Sequence, residues 1–151
     1  MAEEASQELV ALIKRLAVLL YQNIDVRLKP YGLARTQYAV LKHVGEVGDL
    51  PTSELLSRLQ IEPATLSGLI DTLEAKELVV RVEHARDKRR KDIRLTAAGR
   101  KLLDTIPPPG PVMERVLRQE VDPGDVHILK AVGQQMIRSL EQELQKQEVR
   151  G

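Results

Sequence analysis

A run of basic residues in the second half of the chain has the composition of a phosphate-binding surface. Between Arg81 and Lys101, nine basic residues stand against three acidic ones. The centre of this run consists of Arg86, Asp87, Lys88, Arg89 and Arg90. Arginine and lysine side chains bind DNA phosphates and reach into the minor groove. The run therefore predicts a contact with nucleic acid rather than only a solvated surface.

A second group of residues, just before this run, has helical spacing and small side chains on one face. One side of the predicted helix carries Leu66, Leu69, Ile70 and Leu73, which leaves small residues on the other side. The exposed candidates for base contact are Pro63, Ala64, Thr65, Ser67 and Gly68. A helix with this outer face fits a DNA groove, while the basic segment touches the flanking backbone.

The elements that position these residues are two short helices followed by a hairpin. Thr52 is predicted to cap the first helix, and Pro63 suits the first position of the second. The tight connection at residues 60–62 gives the spacing of a helix-turn-helix. After it we expect a strand at residues 78–82, a basic loop at 83–90 and a second strand at 91–95.

The flanking segments are also helical. A long apolar stripe predicts a helix over residues 6–29, and Thr36 is a plausible cap for a helix that ends at Val47. Thr96 is placed to cap another helix, which the proline-rich break at 107–111 terminates. Helical spacing resumes near Val112, and Asp122-Pro123 opens a last helix, because proline suits the first helical position after a cap. The expected fold is mainly α, with five or six helices and one small β-hairpin.

The two long apolar helices at opposite ends of the sequence, one over residues 6–29 and the last within 112–148, are more than a small monomer requires. Packed against a second copy, they would bury residues that neither hides alone. We therefore expect a homodimer, although these helices could instead complete the core of a monomer. The expected interface residues are Leu9, Leu12, Leu16, Val116, Leu129, Val132, Met136 and Leu140.

Composition excludes several other classes of function. The chain has 151 residues, a net charge of +1 and no cysteine, so disulfides and thiolate metal sites are excluded. No apolar run is long enough to cross a bilayer, and we expect a cytoplasmic protein. His43, His84 and His127 have no ligand spacing, so we expect no metal and no cofactor. Nothing resembles a catalytic pair of nucleophile and base, and we expect no enzyme.

The order of several motifs resembles the MarR family of winged-helix regulators. Residues 87–89 (Asp-Lys-Arg) resemble the Asp-x-Arg of the family's wing, and residues 95–99 resemble the Leu-Thr-x-x-Gly that follows it. Residues 32–41 resemble the family's second helix, and 61–80 its recognition helix and first wing strand. The match covers nearly the whole chain, as one MarR-type domain with a DNA-binding lobe at 33–106.

The resemblance implies a homodimeric DNA-binding transcriptional regulator, usually a repressor, that reads a palindrome. It implies that Pro63, Ala64, Thr65, Ser67 and Gly68 sit at the major groove. It also implies that the wing tip with Arg89 and Arg90 reaches the minor groove, while Asp87 steadies the loop. A small phenolic or apolar effector could bind near Tyr21, Tyr31 and Tyr38, although packing is the simpler role for these tyrosines.

Three positions depart from the family pattern. Gly68 stands where many members carry arginine, Glu77 stands where a glycine usually ends the recognition helix, and the prolines at 107–111 interrupt a helix that is normally continuous. A second class of function stays open beside DNA binding. Between Gly45 and Val80 the sequence has seven acidic residues and only two basic ones. This excess of negative charge favours a winged-helix module that binds proteins and does not read DNA sequence.

Overall fold

A computed structural model describes residues 2–84, 86–108 and 111–148 of the chain. Among these residues it contains seven α-helices, one 3-10 turn and three strands, which is more helices than the five or six that the sequence predicted. The first half runs through α1 (Ala2–Leu28), the 3-10 turn (Lys29–Tyr31), α2 (Arg35–Val47), β1 (Leu50–Pro51) and α3 (Thr52–Leu59). The second half runs through α4 (Pro63–Ala75), β2 (Val79–His84), β3 (Asp87–Leu95), α5 (Ala97–Thr105), α6 (Pro111–Glu120) and α7 (Pro123–Glu148).

The strands form one antiparallel sheet in the order β1-β3-β2. The two-residue strand β1, which the sequence did not predict, pairs Leu50 with Ile93. The hairpin strands are longer than expected, because β2 continues to His84 and β3 already begins at Asp87. The predicted loop over residues 83–90 is therefore wrong for most of its length. Of that loop, Ala85 lies outside the described residues.

Two predicted helix caps are wrong. Ala34, not Thr36, precedes α2, because the side chain of Gln37 folds back and accepts a hydrogen bond from the Ala34 N–H at 3.1 Å. Pro51, not Thr52, precedes α3, because pairing with β3 keeps the chain extended up to the helix. Pro63, by contrast, occupies the first turn of α4 as predicted.

The third predicted cap, Thr96, is confirmed and also ties α5 to the sheet. Its hydroxyl accepts a hydrogen bond from the Gly99 N–H at 2.9 Å and donates one to the Glu77 carbonyl at 2.6 Å. A Cβ at Gly99 would lie 2.0 Å from the Leu78 carbonyl oxygen, so only glycine allows this close approach. The Leu-Thr-x-x-Gly motif thus joins α5 to the short segment between α4 and β2.

One compact unit comprises α1 to α5 and the sheet, and α6 and α7 form another. We call α2–α5 together with the three strands the winged-helix lobe. The core of the first unit consists of side chains that are almost fully buried. The largest of them are Leu28, Val40, Leu41, Val44, Leu50, Leu55, Ile70, Leu73, Val79 and Ile93. The predicted inward residues Leu41, Val44 and Leu73 belong to this core.

The predicted proline break is confirmed where it is described. Helix α5 ends at Thr105, and α6 begins at Pro111, a position that proline favours in a helix. Residues 109 and 110 of the break lie outside the described residues. Throughout the described ranges, no helix combines the length and apolar character needed to cross a membrane.

Candidate nucleic-acid interface

Helices α3 and α4 form the predicted helix-turn-helix. Gln60, in the left-handed conformation at φ 51°, closes the end of α3 through its N–H to the Leu56 carbonyl at 2.8 Å. Helix α4 then buries Leu66, Ile70 and Leu73 against the core. Its opposite face turns to solvent and carries all five residues predicted for base contact, namely Pro63, Ala64, Thr65, Ser67 and Gly68.

The end of α4 is held against the sheet by one arginine. Arg81 of β2 donates to the carboxylate of Asp71 at 2.7 Å and forms an ion pair with Glu74. Its main-chain N–H also donates to Glu74 Oε1 at 3.0 Å. One positive charge is thus shared between two carboxylates of α4, and the helix is fixed relative to the hairpin.

Lys76 joins the same helix to α2. Its ammonium donates to the Gly32 carbonyl at 2.6 Å and to Gln37 Oε1 at 3.2 Å. The buried Gln37 side chain therefore serves both the start of α2 and the end of α4. This interaction fixes the C-terminal end of α4 against the start of α2.

The wing is the hairpin of β2 and β3. Arg86, Asp87, Arg89 and Arg90 are exposed along it, whereas the side chain of Lys88 lies outside the described part of the chain. Asp87 accepts a hydrogen bond from the main-chain N–H of Arg89 at 3.0 Å. The resemblance implied that Asp87 steadies the wing, and this bond across the first residues of β3 is an interaction of that kind.

Arg90 has a different setting from Arg89. Its guanidinium donates to the hydroxyl of Ser53 in the first turn of α3 at 3.0 Å. The basic residues of the wing thus extend from its tip to the start of the helix-turn-helix. Arg90 lies at the helix end of this surface rather than at the tip.

Sequence reasoning missed a polar pair inside the wing. The Nδ1 atom of His84 lies 2.9 Å and 2.8 Å from the two carboxylate oxygens of Asp92. Asp92 is buried, although its sequence context is the most charged part of the chain. The pairing with Asp92 holds His84 against the sheet, and only 23% of the His84 side chain is exposed. Alternation along β3 could have indicated that Asp92 shares a face with Arg90 and Arg94.

Arg94 anchors the other end of β3. Its guanidinium makes two hydrogen bonds to Asp49, at 2.7 Å and 2.5 Å. The hydrogen bond from Arg94 is the main reason that the pKa of Asp49 is lowered from its ordinary value, an effect that partial desolvation opposes. The same bond raises the pKa of Arg94. Three alternate residues of β3 thus tie the wing to α3, β2 and the turn after α2.

The tyrosines named for an effector lie in three settings. Tyr21 packs under the guanidinium of Arg35, 4.1 Å from the ring centre. The Tyr31 hydroxyl donates to the Thr105 carbonyl at 3.5 Å. Burial, with the carboxylate of Glu46, raises the pKa of Tyr38. Tyr21 and Tyr38 also line a groove of about 680 Å³ between α1 and α2.

The histidines do not form a metal site. His43 lies in α2, His84 in β2 and His127 in α7. No group of three potential metal-binding side chains occurs among residues 2–84, 86–108 and 111–148. The Nδ1 atom of His43 is buried without a hydrogen-bond partner in the described structure. A carboxylate oxygen of Glu46 lies 3.9 Å away, which is too far for a hydrogen bond.

The sequence and the fold of the chain are similar to those of known transcriptional regulators. Residues 31–90, which span the helix-turn-helix and the start of the wing, match the sequence profile of the MarR family. The uncharacterized HTH-type transcriptional regulator YwoH of Bacillus subtilis is 30% identical over 101 residues, which cover 67% of this chain and 73% of YwoH. The chain belongs to the MarR family.

Other MarR-type relatives are similar at lower identity. The transcriptional repressor MdtR of Bacillus subtilis is 27% identical over 100 residues, which cover 64% of either chain. The S. aureus MepR–DNA complex superposes with a TM-score of 0.76 at 26% identity, over 86% of this chain and 96% of MepR. The fold expected from the MarR resemblance, mainly helical with a winged helix-turn-helix, is confirmed.

Proposed function

We propose that this protein is a homodimeric transcriptional regulator that binds a palindromic operator in double-stranded DNA and acts as a repressor. The observation that carries the proposal is the joint exposure of one face of α4 and of the adjoining basic wing. MepR, a structural relative, was crystallised with DNA, and MdtR is a repressor. In the proposed complex α4 enters the major groove, and Arg86, Lys88, Arg89 and Arg90 bind the flanking backbone and minor groove.

The surfaces of α1 and α7 support the dimer. Leu9, Leu12 and Leu16 of α1 are each about half exposed or more. Val116 of α6 is exposed as well. The exposed residues predicted for the interface on α7 are Leu129, Val132, Met136 and Leu140. Exposed apolar side chains in such numbers on one helix mark an interaction site. A symmetric dimer would cover it with the same surface of a second copy.

The acidic residues that suggested a protein-binding module are largely paired within the lobe. Asp49 binds Arg94, Glu54 binds Arg58, and Asp71 and Glu74 bind Arg81. Three arginines therefore offset most of the negative charge of these four carboxylates before a ligand approaches. This favours DNA over a basic protein partner as the ligand of this face.

Selection from randomised duplexes tests the proposal. The full-length protein should recover an inverted repeat whose half-sites are about one helical turn apart, bound at least about a thousandfold more tightly than a scrambled duplex. Binding that depends on salt but not on sequence would contradict the regulator. Capture of a protein partner without any preferred DNA sequence would favour the protein-binding alternative.

Replacing Arg86 and Arg89 with alanine tests the wing separately. Arg90 is left intact because its hydrogen bond to Ser53 also holds α3. The variant should bind the operator more weakly, and the slope of log affinity against log salt should fall by roughly 0.9 for each phosphate that the wing no longer neutralises. Arg118→Ala, on α6, is the matched control and should leave both quantities unchanged. An unaltered salt slope in the wing variant would mean that the wing does not contact the DNA phosphates.

An effector, if it acts through the groove between α1 and α2, would have to bind the DNA-competent and incompetent states with different affinity. The groove offers Tyr21 and Tyr38 beside the cations of Arg35 and Lys42, which suits a small phenolic compound. Phenol should then raise the melting temperature and weaken operator binding, whereas cyclohexanol of similar size should do so less. Equal effects of both would contradict phenol recognition.

A further inference from the structure

Helix α4 lacks the side chains that usually read purines. Its sequence from Pro63 to Ala75 contains no arginine, lysine, asparagine, glutamine or histidine. Arginine and lysine recognise guanine in the major groove through two hydrogen bonds, and asparagine and glutamine recognise adenine in the same manner. Helix α4 therefore has to obtain sequence specificity in another way.

Several polar groups on α4 are already engaged inside the lobe. The Thr72 hydroxyl donates to the Gly68 carbonyl at 2.8 Å, and Asp71 accepts from Arg81 at 2.7 Å. Glu74 is bound by both the side chain and the main chain of Arg81. The side chains that the first two turns present to solvent are therefore short: the methyl group of Ala64, the methyl and hydroxyl of Thr65, and the hydroxyl of Ser67.

Gly68 has no packing role within the described part of the chain. A Cβ at this position would meet nothing within 4 Å, and glycine is the poorest helix former after proline. Gly68 lies one turn after Ala64 on the same face of the helix. The absent side chain leaves space for α4 to approach a surface closely, which is an advantage only when a ligand is bound.

We infer that α4 reads its half-site through the 5-methyl groups of thymines, which pack against the methyl groups of Ala64 and Thr65, while Gly68 lets the helix approach the base edges. The thymine methyl is the apolar feature of the major groove, and alanine and threonine methyl groups pack against it. This inference rests on the proposed function, because it requires α4 to lie in the major groove.

Substitution of deoxyuridine for thymine tests the inference directly. The change removes only the 5-methyl group, which lies in the major groove, so binding of the wing in the minor groove is preserved. Each thymine of the selected operator is replaced in turn, at both symmetry-related positions. Affinity of the full-length protein is measured by fluorescence anisotropy. At the positions that α4 reads it should fall about fourfold for each buried methyl group removed.

Two variants assign the effect to α4. Thr65→Ser keeps the hydroxyl but removes the methyl group, so the difference between thymine and uracil at the base it touches should disappear. Arg89→Ala should weaken binding to both duplexes and preserve that difference. Gly68→Ala should raise the melting temperature of the free protein and lower operator affinity, a combination that loss of folding cannot produce.

The outcomes separate this inference from the function on which it rests. If the operator is bound with full specificity and deoxyuridine has no effect at any position, methyl recognition is wrong and the regulator stands. If Gly68→Ala raises both the melting temperature and the operator affinity, the proposed close approach is wrong. If selection recovers no preferred sequence, the regulator itself is contradicted.

Discussion

Most apolar side chains of the winged-helix lobe are buried or half-buried, whereas many of those on α1 and α7 lie in solvent. Val40, Leu41 and Val44 of α2 are 0% exposed, while Leu16 of α1 is 50% and Leu129 of α7 is 55% exposed. Burial of apolar surface is the main favourable term in folding. The lobe therefore has its own source of stability, and the end helices carry apolar surface that the described part of the single chain leaves uncovered.

The difference predicts two kinds of response to mutation. A change in the lobe should alter the stability of each subunit by an amount that does not depend on protein concentration. A change on α1 or α7 should act through association and therefore vary with concentration.

Leu41→Ala should give the largest loss of stability. The side chain is fully buried in α2, and truncation of such a leucine costs about 2–5 kcal/mol through the transfer energy of the removed atoms and the cavity left behind. Urea unfolding, followed by circular dichroism at two protein concentrations, should show the same destabilisation at both. A loss that vanished at the higher concentration would mean that the lobe is not stable on its own.

Leu16→Glu should break the dimer while the lobe stays folded. A carboxylate placed in an apolar interface loses its hydration without gaining a partner, so the dimer dissociation constant should rise by at least about a hundredfold. Sedimentation equilibrium measures the change. Val47→Glu is the matched control, because Val47 is 51% exposed but lies on α2 of the lobe. Equal effects of both changes would contradict the distinction between the two regions.

Sequence patterns predicted the parts of this architecture that depend on neighbours in the chain. Helical periodicity identified the inward face of α4, and local chemistry identified Pro63 and the Thr96 cap. The missed features depend on distant residues. Strand β1 exists because β3 supplies its hydrogen bonds, and Gln37 replaces Thr36 at the start of α2 in a network that includes Lys76.

The candidate site shows the same division. The exposed face of α4 and the basic wing could be read from composition and spacing. The hydrogen bond of Arg90 to Ser53 and the pairing of His84 with Asp92 could not. Both depend on the register of β3. The start of this strand has the polar sequence Asp-Lys-Arg-Arg, which is typical of a loop, so the sequence did not predict it as a strand. Extended hydrogen bonding with β2 overrides the weak strand preference of these residues.

Within the lobe, Glu77 has a backbone conformation that is unfavourable for its residue type. It has φ 57°, in the left-handed region that disfavours residues with a Cβ. Glu77→Gly should therefore stabilise the lobe by up to about 1 kcal/mol and raise the melting temperature, after allowance for the greater freedom of glycine in the unfolded chain. Calorimetry measures the effect.

Glu46→Gly is the control for this substitution, because Glu46 lies inside α2 with helical geometry. There the same replacement should cost about 1 kcal/mol. Destabilisation of similar size at both positions would show that the left-handed backbone at Glu77 carries no strain.

The smallest expected effect concerns the surface pair of Asp49 and Arg94, because exposed ion pairs contribute little. The lowered pKa of Asp49 means that its contribution to stability is present above the unfolded-state pKa, about 4, and is lost as the pH falls through the lower folded-state value. Asp49→Asn should therefore be slightly less stable than wild type at pH 7. The difference should fade as the medium is acidified below about pH 4, and an undiminished difference would contradict the ion pair as its cause.

A change in the spacing of the two half-sites tests whether the end helices hold two DNA-binding lobes in one dimer. Insertion of about five base pairs between the half-sites rotates one of them to the opposite side of the duplex without changing either sequence. A dimer that holds two lobes in register should lose at least about a hundredfold in affinity for this duplex, measured beside the unaltered operator. Equal affinity for both duplexes would mean that the lobes bind independently, and the account would be wrong.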